Sequence, residues 1–154
     1  MSKPDNAGVK IPPPLCFLAF LAVGILLDSA WIDSRLSSNY LTILGGVIAV
    51  LSAIYLFVAA RKHNTAGSNV EPWKPTTTII SDGAYKYSRN PIYLAMAALY
   101  AGIAIAAGSW LAVILLPFCL VVIRYYVIAR EEAYLEDKFG KEYLDYKARV
   151  RRWL

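Results

Sequence analysis

Two stretches without a charged side chain, residues 41–60 and 92–123, constrain this chain more than anything else in it. The first is 20 residues long, about the length needed to cross a bilayer as a helix. The second is 32 residues long; as one helix it would extend about 48 Å at about 1.5 Å per residue, well beyond a hydrocarbon core of about 30 Å. It must therefore fold back. Gly108-Ser109-Trp110 is the predicted turn, because glycine permits the required backbone angles and tryptophan favours the membrane interface. A third apolar stretch begins at Leu15 and continues through Asp28 to Ile32. The sequence thus predicts an all-α integral membrane protein with four transmembrane helices, at about 15–33, 41–60, 91–108 and 110–129, the last two joined as a tight hairpin. A loop over 61–90 and an amphipathic helical tail over 130–154 complete a single domain, 1–154. A hydrophobic content of 58%, with 18% charged residues and a mean hydropathy of +0.45, agrees with that class.

Cation placement sets the expected orientation. Lys3 and Lys10 precede the first span, Arg61, Lys62, Lys74, Lys86 and Arg89 lie between the second and third, and eight cations lie from Arg124 onward. Arg35 stands alone in the opposite loops. Lysine and arginine favour the cytoplasmic side, so both termini and the 61–90 loop are expected there. The net charge of +5 is then an orientation and anionic-lipid signal. Nucleic-acid partners are not expected, because the cations are interleaved with acids beside membrane spans and no recognition motif occurs. Cys16 and Cys119 both fall inside spans and read as packing residues; no metal site is expected. The N-terminal M-S-K-P-D-N lacks a signal-peptide layout, so the first span is expected to be retained.

Along the chain, residues 1–10 read as polar and mobile, and Pro12-Pro13-Pro14 as a stiff helix entry. Asp28 reads as an interfacial acid or a group facing a polar cavity. Ser37-Ser38-Asn39 supplies helix-start chemistry, and Gly45 and Gly46 offer a place for a neighbouring helix to approach. The 61–90 loop is broken by Gly67, Pro72, Pro75 and Gly83; 76–80 has β-type composition but is too short for a sheet, and Ser81-Asp82-Gly83 reads as a turn. In the tail, Leu135 and Phe139 share a face, Gly140 is a break, and Tyr143, Tyr146, Val150 and Trp153 form a second apolar stripe. That stripe suits either the membrane surface or packing on the bundle.

Chemistry concentrates at G-A-Y-K-Y-S-R-N-P-I-Y, Gly83 to Tyr93. Asn90 caps the next helix and Pro91 occupies its first position. A helix N-terminus with Arg89 beside it can hold a carboxylate or phosphate, and Tyr85, Tyr87 and Tyr93 offer aromatic faces to a cation or an adenine-like ring; interfacial anchoring explains the same residues. Glu131 and Glu132 emerge where the fourth span meets the cytoplasm, at the depth where the third begins, so the two motifs can converge. Arg124 and Glu131, seven apart, lie within about 20 degrees on an α-helix and can share a cleft. Ordinary ion pairing among Arg130, Glu131, Glu132 and nearby cations is the plainer reading.

The paired signature, Gly83 to Tyr93 followed after a hydrophobic hairpin by R-E-E-A-Y-L-E-D-K-F-G-K-E-Y-L-D-Y-K-A-R-V-R-R-W, resembles the carboxy-terminal half of membrane methyltransferases that include isoprenylcysteine carboxyl methyltransferase and phospholipid methyltransferase. The likeness covers 69–154, and N-V-E-P-W-K-P-T from Asn69 with the I-P-P-P entry is similar to small bacterial members, which implies a bacterial inner membrane. The resemblance implies an S-adenosylmethionine pocket at Tyr85, Arg89, Asn90, Pro91, Tyr93 and Glu131, with Glu132 beside them. Glu131 is expected to bind the cofactor's amino group or ribose, Arg89 its carboxylate, and Arg124 or Arg130 is expected to face the acceptor. Asn90 stands where the family often has His, and Ala95 replaces a frequent Gly. The implied acceptor is a membrane lipid or amphiphilic small molecule. Carboxyl O-methylation is slightly favoured because no convincing base stands near; phospholipid N-methylation and a non-catalytic four-helix scaffold are the alternatives. His63, outside these motifs, is not expected to be catalytic.

Overall fold

The computed structural model describes residues 5–32, 38–65 and 73–154. Lys3, Arg35, Ser37, Gly67, the last residue of the predicted 15–33 span and the 69–72 part of the N-V-E-P-W motif, all weighed in the sequence reading, lie outside them. Helices account for the regular structure of the described residues: α1 (Pro13–Leu27), α2 (Asn39–Thr65), α3 (Pro91–Ala106), α4 (Trp110–Val122), α5 (Ala129–Phe139) and α6 (Lys141–Arg149). Wider π-helical turns extend α1 over Asp28–Ile32 and join α4 to α5 over Ile123–Ile128.

Among the described residues, three stretches are long and apolar enough to cross a membrane: Pro13–Ala30, Asn39–His63 and Trp110–Phe139. The third is 30 residues long, more than a bilayer needs; its first charge is Arg124 and four more follow from Arg130 to Glu136, so the apolar part is the span and α5 projects beyond it. Helix α3 is equally apolar but has 16 residues, about 24 Å at about 1.5 Å per residue. It is the expected short half of the hairpin. The turn falls where glycine was expected to place it: Gly108 adopts φ 66°, and the Ser109 side chain caps α4 by accepting from the Ala112 amide.

Helix α3 is central, packing on α2, α4 and α1, while α1 lies along α4. Contact between α2 and α3 depends on two glycines. A Cβ on Gly45 would stand 2.5 Å from the Ala106 nitrogen, and one on Gly102 would stand 2.6 Å from the Ala49 nitrogen. Gly46 has nothing within 4 Å, so of the two glycines weighed in the sequence, Gly45 alone faces α3. Tyr100, 1% exposed, donates its hydroxyl to the Ala112 carbonyl and ties α3 to α4 inside the core.

At the chain ends one expectation changes and one open alternative narrows. Residues 5–10 are docked, not loose: Val9 is 3% exposed, the Lys10 amide donates to the Tyr126 hydroxyl, and Asp5 accepts from Tyr134 and Lys138. The cause is a polar anchor on α5, where Tyr134 and Lys138 stand one turn apart on one face. At the other end, Tyr143 and Tyr146 are buried, so the tail's stripe packs on the bundle.

Candidate functional site

The end of α2, the 73–80 loop, the single 3-10 turn Gly83–Lys86, the start of α3, α5 and α6 surround one cavity of about 200 Å³. Ala7, Pro13 and Pro14 close one side. Tyr85, Arg89, Asn90, Tyr93, Glu131 and Glu132 all line it, so the two sequence motifs, 38 residues apart at Tyr93 and Glu131, converge.

Tyr93 donates its hydroxyl to Glu131 Oε1 at 2.6 Å. Burial pushes the Glu131 carboxyl up to about 7; the Tyr93 hydrogen bond opposes the shift and the neighbouring Glu132 charge adds to it. Its neighbour behaves oppositely. Burial also acts on Glu132, but Arg152 and Arg89 hold its carboxyl below the usual range. Arg152 reaches both Glu132 oxygens, Nε to Oε1 at 2.9 Å and a terminal nitrogen to Oε2 at 2.7 Å, and Arg89 donates to Oε1 at 2.8 Å. Two guanidiniums on one carboxylate leave that cluster with a net positive charge beside the Glu131 carboxyl.

Much of the Arg-Asn-Pro turn holds the tail in place. Arg89 donates to the Lys147 and Val150 carbonyls, and its amide to the Arg151 carbonyl. Its Nε is buried without a hydrogen-bond partner. Asn90 sits at the N-cap position, but its side chain makes no capping bond and donates instead to the Arg152 carbonyl at 2.9 Å. The expected cap is thus replaced by a long-range bond, because the tail presents an acceptor where the helix amides would otherwise claim the side chain. Pro91 takes the first helical turn as expected and does not line the cavity.

Arg124 and Arg130 do not line the cavity. Their guanidiniums lie over the rings of Tyr125 and Tyr126, and Arg130 also donates to the Tyr126 carbonyl. The π-helical turns at Ile123–Ile128 explain the difference: each residue there advances less around the axis than in an α-helix, so a spacing of seven no longer returns to one face.

Sequence reasoning passed over several lining residues. His63, in the last turn of α2, places Nε2 2.6 Å from the Tyr85 hydroxyl, with the rings edge to face. Its position just past the second apolar stretch, at the depth of the other motifs, was the available signal. Tyr134 accepts from the Thr76 amide and donates to Asp5, pinning two cavity walls together. Tyr143 and Tyr146 line the floor, and Tyr146 donates to the Tyr85 carbonyl at 2.8 Å.

A membrane-embedded helical bundle with a tyrosine-lined cavity, holding two carboxyl groups, at one end is the class these features define. The family model described as phospholipid methyltransferase matches residues 40–142 of the 154, and the chain belongs to that family of membrane methyltransferases. It is also similar to an uncharacterized protein of Haemophilus influenzae (strain Rd), 56% identical over 46 residues, which cover 30% of this chain and 68% of that protein. No solved structure matches the chain at a significant level.

Proposed function

We propose that this chain transfers a methyl group from S-adenosylmethionine to a lipid-like or amphiphilic acceptor at the cytoplasmic face of a bacterial inner membrane. The observation that carries the reading is the buried Tyr93–Glu131 pair inside an aromatic cavity, next to the positively charged Arg89–Glu132–Arg152 cluster. This donor set fits the cofactor's amino-acid end, which bears an ammonium and a carboxylate. Glu131 would hold the ammonium, and the cluster, with the unpartnered Nε of Arg89, would face the carboxylate. Tyr85 and the other phenol rings suit a sulfonium, since cations are attracted to aromatic faces. The cofactor, when bound, supplies an electrophilic methyl group; the protein's task is in-line placement of the acceptor. Arg124 and Arg130 do not line the cavity, so any contact they make with an acidic part of the acceptor would fall outside it.

Carboxyl O-methylation was favoured because no base was evident, and that premise changes. Glu131, with its carboxyl near 7, and His63 both line the cavity, so an amine acceptor, as in phospholipid N-methylation, becomes a supported second reading. A cavity lined by buried polar groups is difficult to reconcile with a pure scaffold.

Equilibrium binding of radiolabelled S-adenosylmethionine to the protein in nanodiscs tests the reading. Saturable binding that Glu131→Gln abolishes is expected. Folded wild-type protein that binds none overturns it.

A further inference from the structure

Outside the Glu131 pair and the arginine cluster, the cavity holds one more arrangement with chemical capacity, the contact between His63 and Tyr85. These residues are 22 positions apart and approach from different elements, the last turn of α2 and the 3-10 turn before α3. We infer that His63 and Tyr85 form the proton-accepting pair for the methyl acceptor, and that the acceptor is therefore a group that must lose a proton on methylation. This rests on the methyl-transfer reading above and deepens it.

The surroundings suit a proton path through Tyr85. His63 sits in the last turn of α2, where the helix end carries partial negative charge. Lys62, the adjacent cation, is paired to Asp82 at 2.7 Å. Burial, with the nearby Tyr55, Tyr146 and Glu131, holds the Tyr85 phenol well above the ordinary tyrosine range, so Tyr85 stays protonated and passes a proton along instead of acting as a phenolate. The charged and titratable groups around the pair include Tyr55 and Lys62 on α2, Asp82 before the 3-10 turn, Glu131 on α5 and Tyr146 on α6.

In the step, the acceptor's lone pair forms a bond to the methyl carbon as the carbon–sulfur bond breaks, and its electron pair leaves on sulfur to give a neutral thioether. The acceptor's proton passes to the Tyr85 oxygen while the Tyr85 proton passes to His63 Nε2. A carboxylate acceptor carries no such proton and would gain nothing from the pair.

The test uses the full chain in nanodiscs containing phosphatidylethanolamine as an amine probe, or oleic acid as a carboxylate probe. His63→Gln and Tyr85→Phe are expected to bind S-adenosylmethionine within about threefold of wild type while slowing single-turnover methylation of the amine about 100-fold at pH 7. In His63→Gln the rate should follow the unprotonated fraction of the amine, so its deficit should shrink at least about tenfold by pH 9. Unchanged rates and pH profiles overturn the inference, as does a loss of cofactor binding that matches the loss of rate. Wild type that binds the cofactor but methylates only oleic acid overturns the inference and leaves the methyl-transfer reading standing. Wild type that binds no cofactor overturns both.

Discussion

At the scale of single residues, Glu131 and Glu132 show how environment separates two adjacent carboxylates. Glu132 is held ionised by Arg89 and Arg152, whereas Glu131 is buried against a neutral phenol and its carboxyl is raised to about 7 from an ordinary 4.5. In the empty protein the folded state therefore holds the Glu131 proton more tightly than the unfolded chain does. Its contribution to stability falls as pH rises from about 4.5 through 7, by about 1.4 kcal/mol per pKa unit and so on the order of 3 kcal/mol above that window. Glu131→Gln is accordingly expected to raise the thermal unfolding midpoint at pH 8 and to change it little at pH 4.5; an equal shift at both values would contradict the assignment. A bound cation reverses the preference, because it requires the carboxylate. S-adenosylmethionine affinity should fall about tenfold per pH unit below 7, with a proton released on binding at pH 6, as titration calorimetry in two buffers would show. The Glu131 site was legible in the sequence because an acidic pair follows an apolar hairpin whose length fixes its depth. His63 was not, because its contact with Tyr85 spans a loop whose path the sequence does not dictate, and the π-helical turn that moves Arg124 off the expected face leaves no mark in an apolar run.

At the scale of elements, the hairpin could be read from 32 uncharged residues, while the docking of both chain ends could not. The stripe at Tyr143, Tyr146, Val150 and Trp153 has two physical solutions, lipid surface or protein, and what decides between them is distant: the Ser88, Arg89 and Asn90 groups that receive the tail carbonyls. Removing residues 150–154 would strip Glu132 of Arg152 and leave the buried Ser88 and Asn90 side chains without the Arg152 carbonyl. Such a truncation is expected to abolish cofactor binding while circular dichroism retains the helices of the bundle; normal binding by the truncated chain would show that the tail is dispensable. The α2–α3 contact gives a sharper comparison. Gly45→Ala places a methyl group 2.5 Å from backbone and is expected to destabilise by roughly 1–3 kcal/mol. Gly46→Ala meets nothing within 4 Å and should be neutral or stabilising by up to about 1 kcal/mol, the ordinary helical preference for alanine. Thermal unfolding in detergent distinguishes them, and equal effects would mean that α2 and α3 do not approach as described.

At the scale of the whole molecule, polar contacts and charge gather at one end. Asp5 meets Lys138, Tyr85 meets Tyr146, and Lys62 meets Asp82, so the N-terminal segment, the loop before α3 and the tail share one side of the bundle. The outward face of α2, with Ile43, Val47, Val50, Ile54 and Phe57 exposed, is a long apolar stripe that water would not tolerate and lipid tails would cover. On the proposed reading, a cavity at the polar end would let a soluble cofactor arrive from the aqueous phase while an amphiphile keeps its chain in the bilayer. On the same reading, the lysine and arginine excess puts that end in the cytoplasm. In a chain with Cys16 and Cys119 replaced by serine, Glu142→Cys should react with a membrane-impermeant maleimide only after the inner membrane of spheroplasts is opened. Tyr40→Cys, at the start of α2 and 86% exposed, should react from outside in intact spheroplasts. Labelling of Glu142→Cys without permeabilisation would invert the protein and place the cavity away from the cytoplasmic pool of cofactor. The methyl-transfer reading could not survive that result, whatever the cavity's affinity in detergent, because binding chemistry and orientation are separate requirements and the cell must meet both.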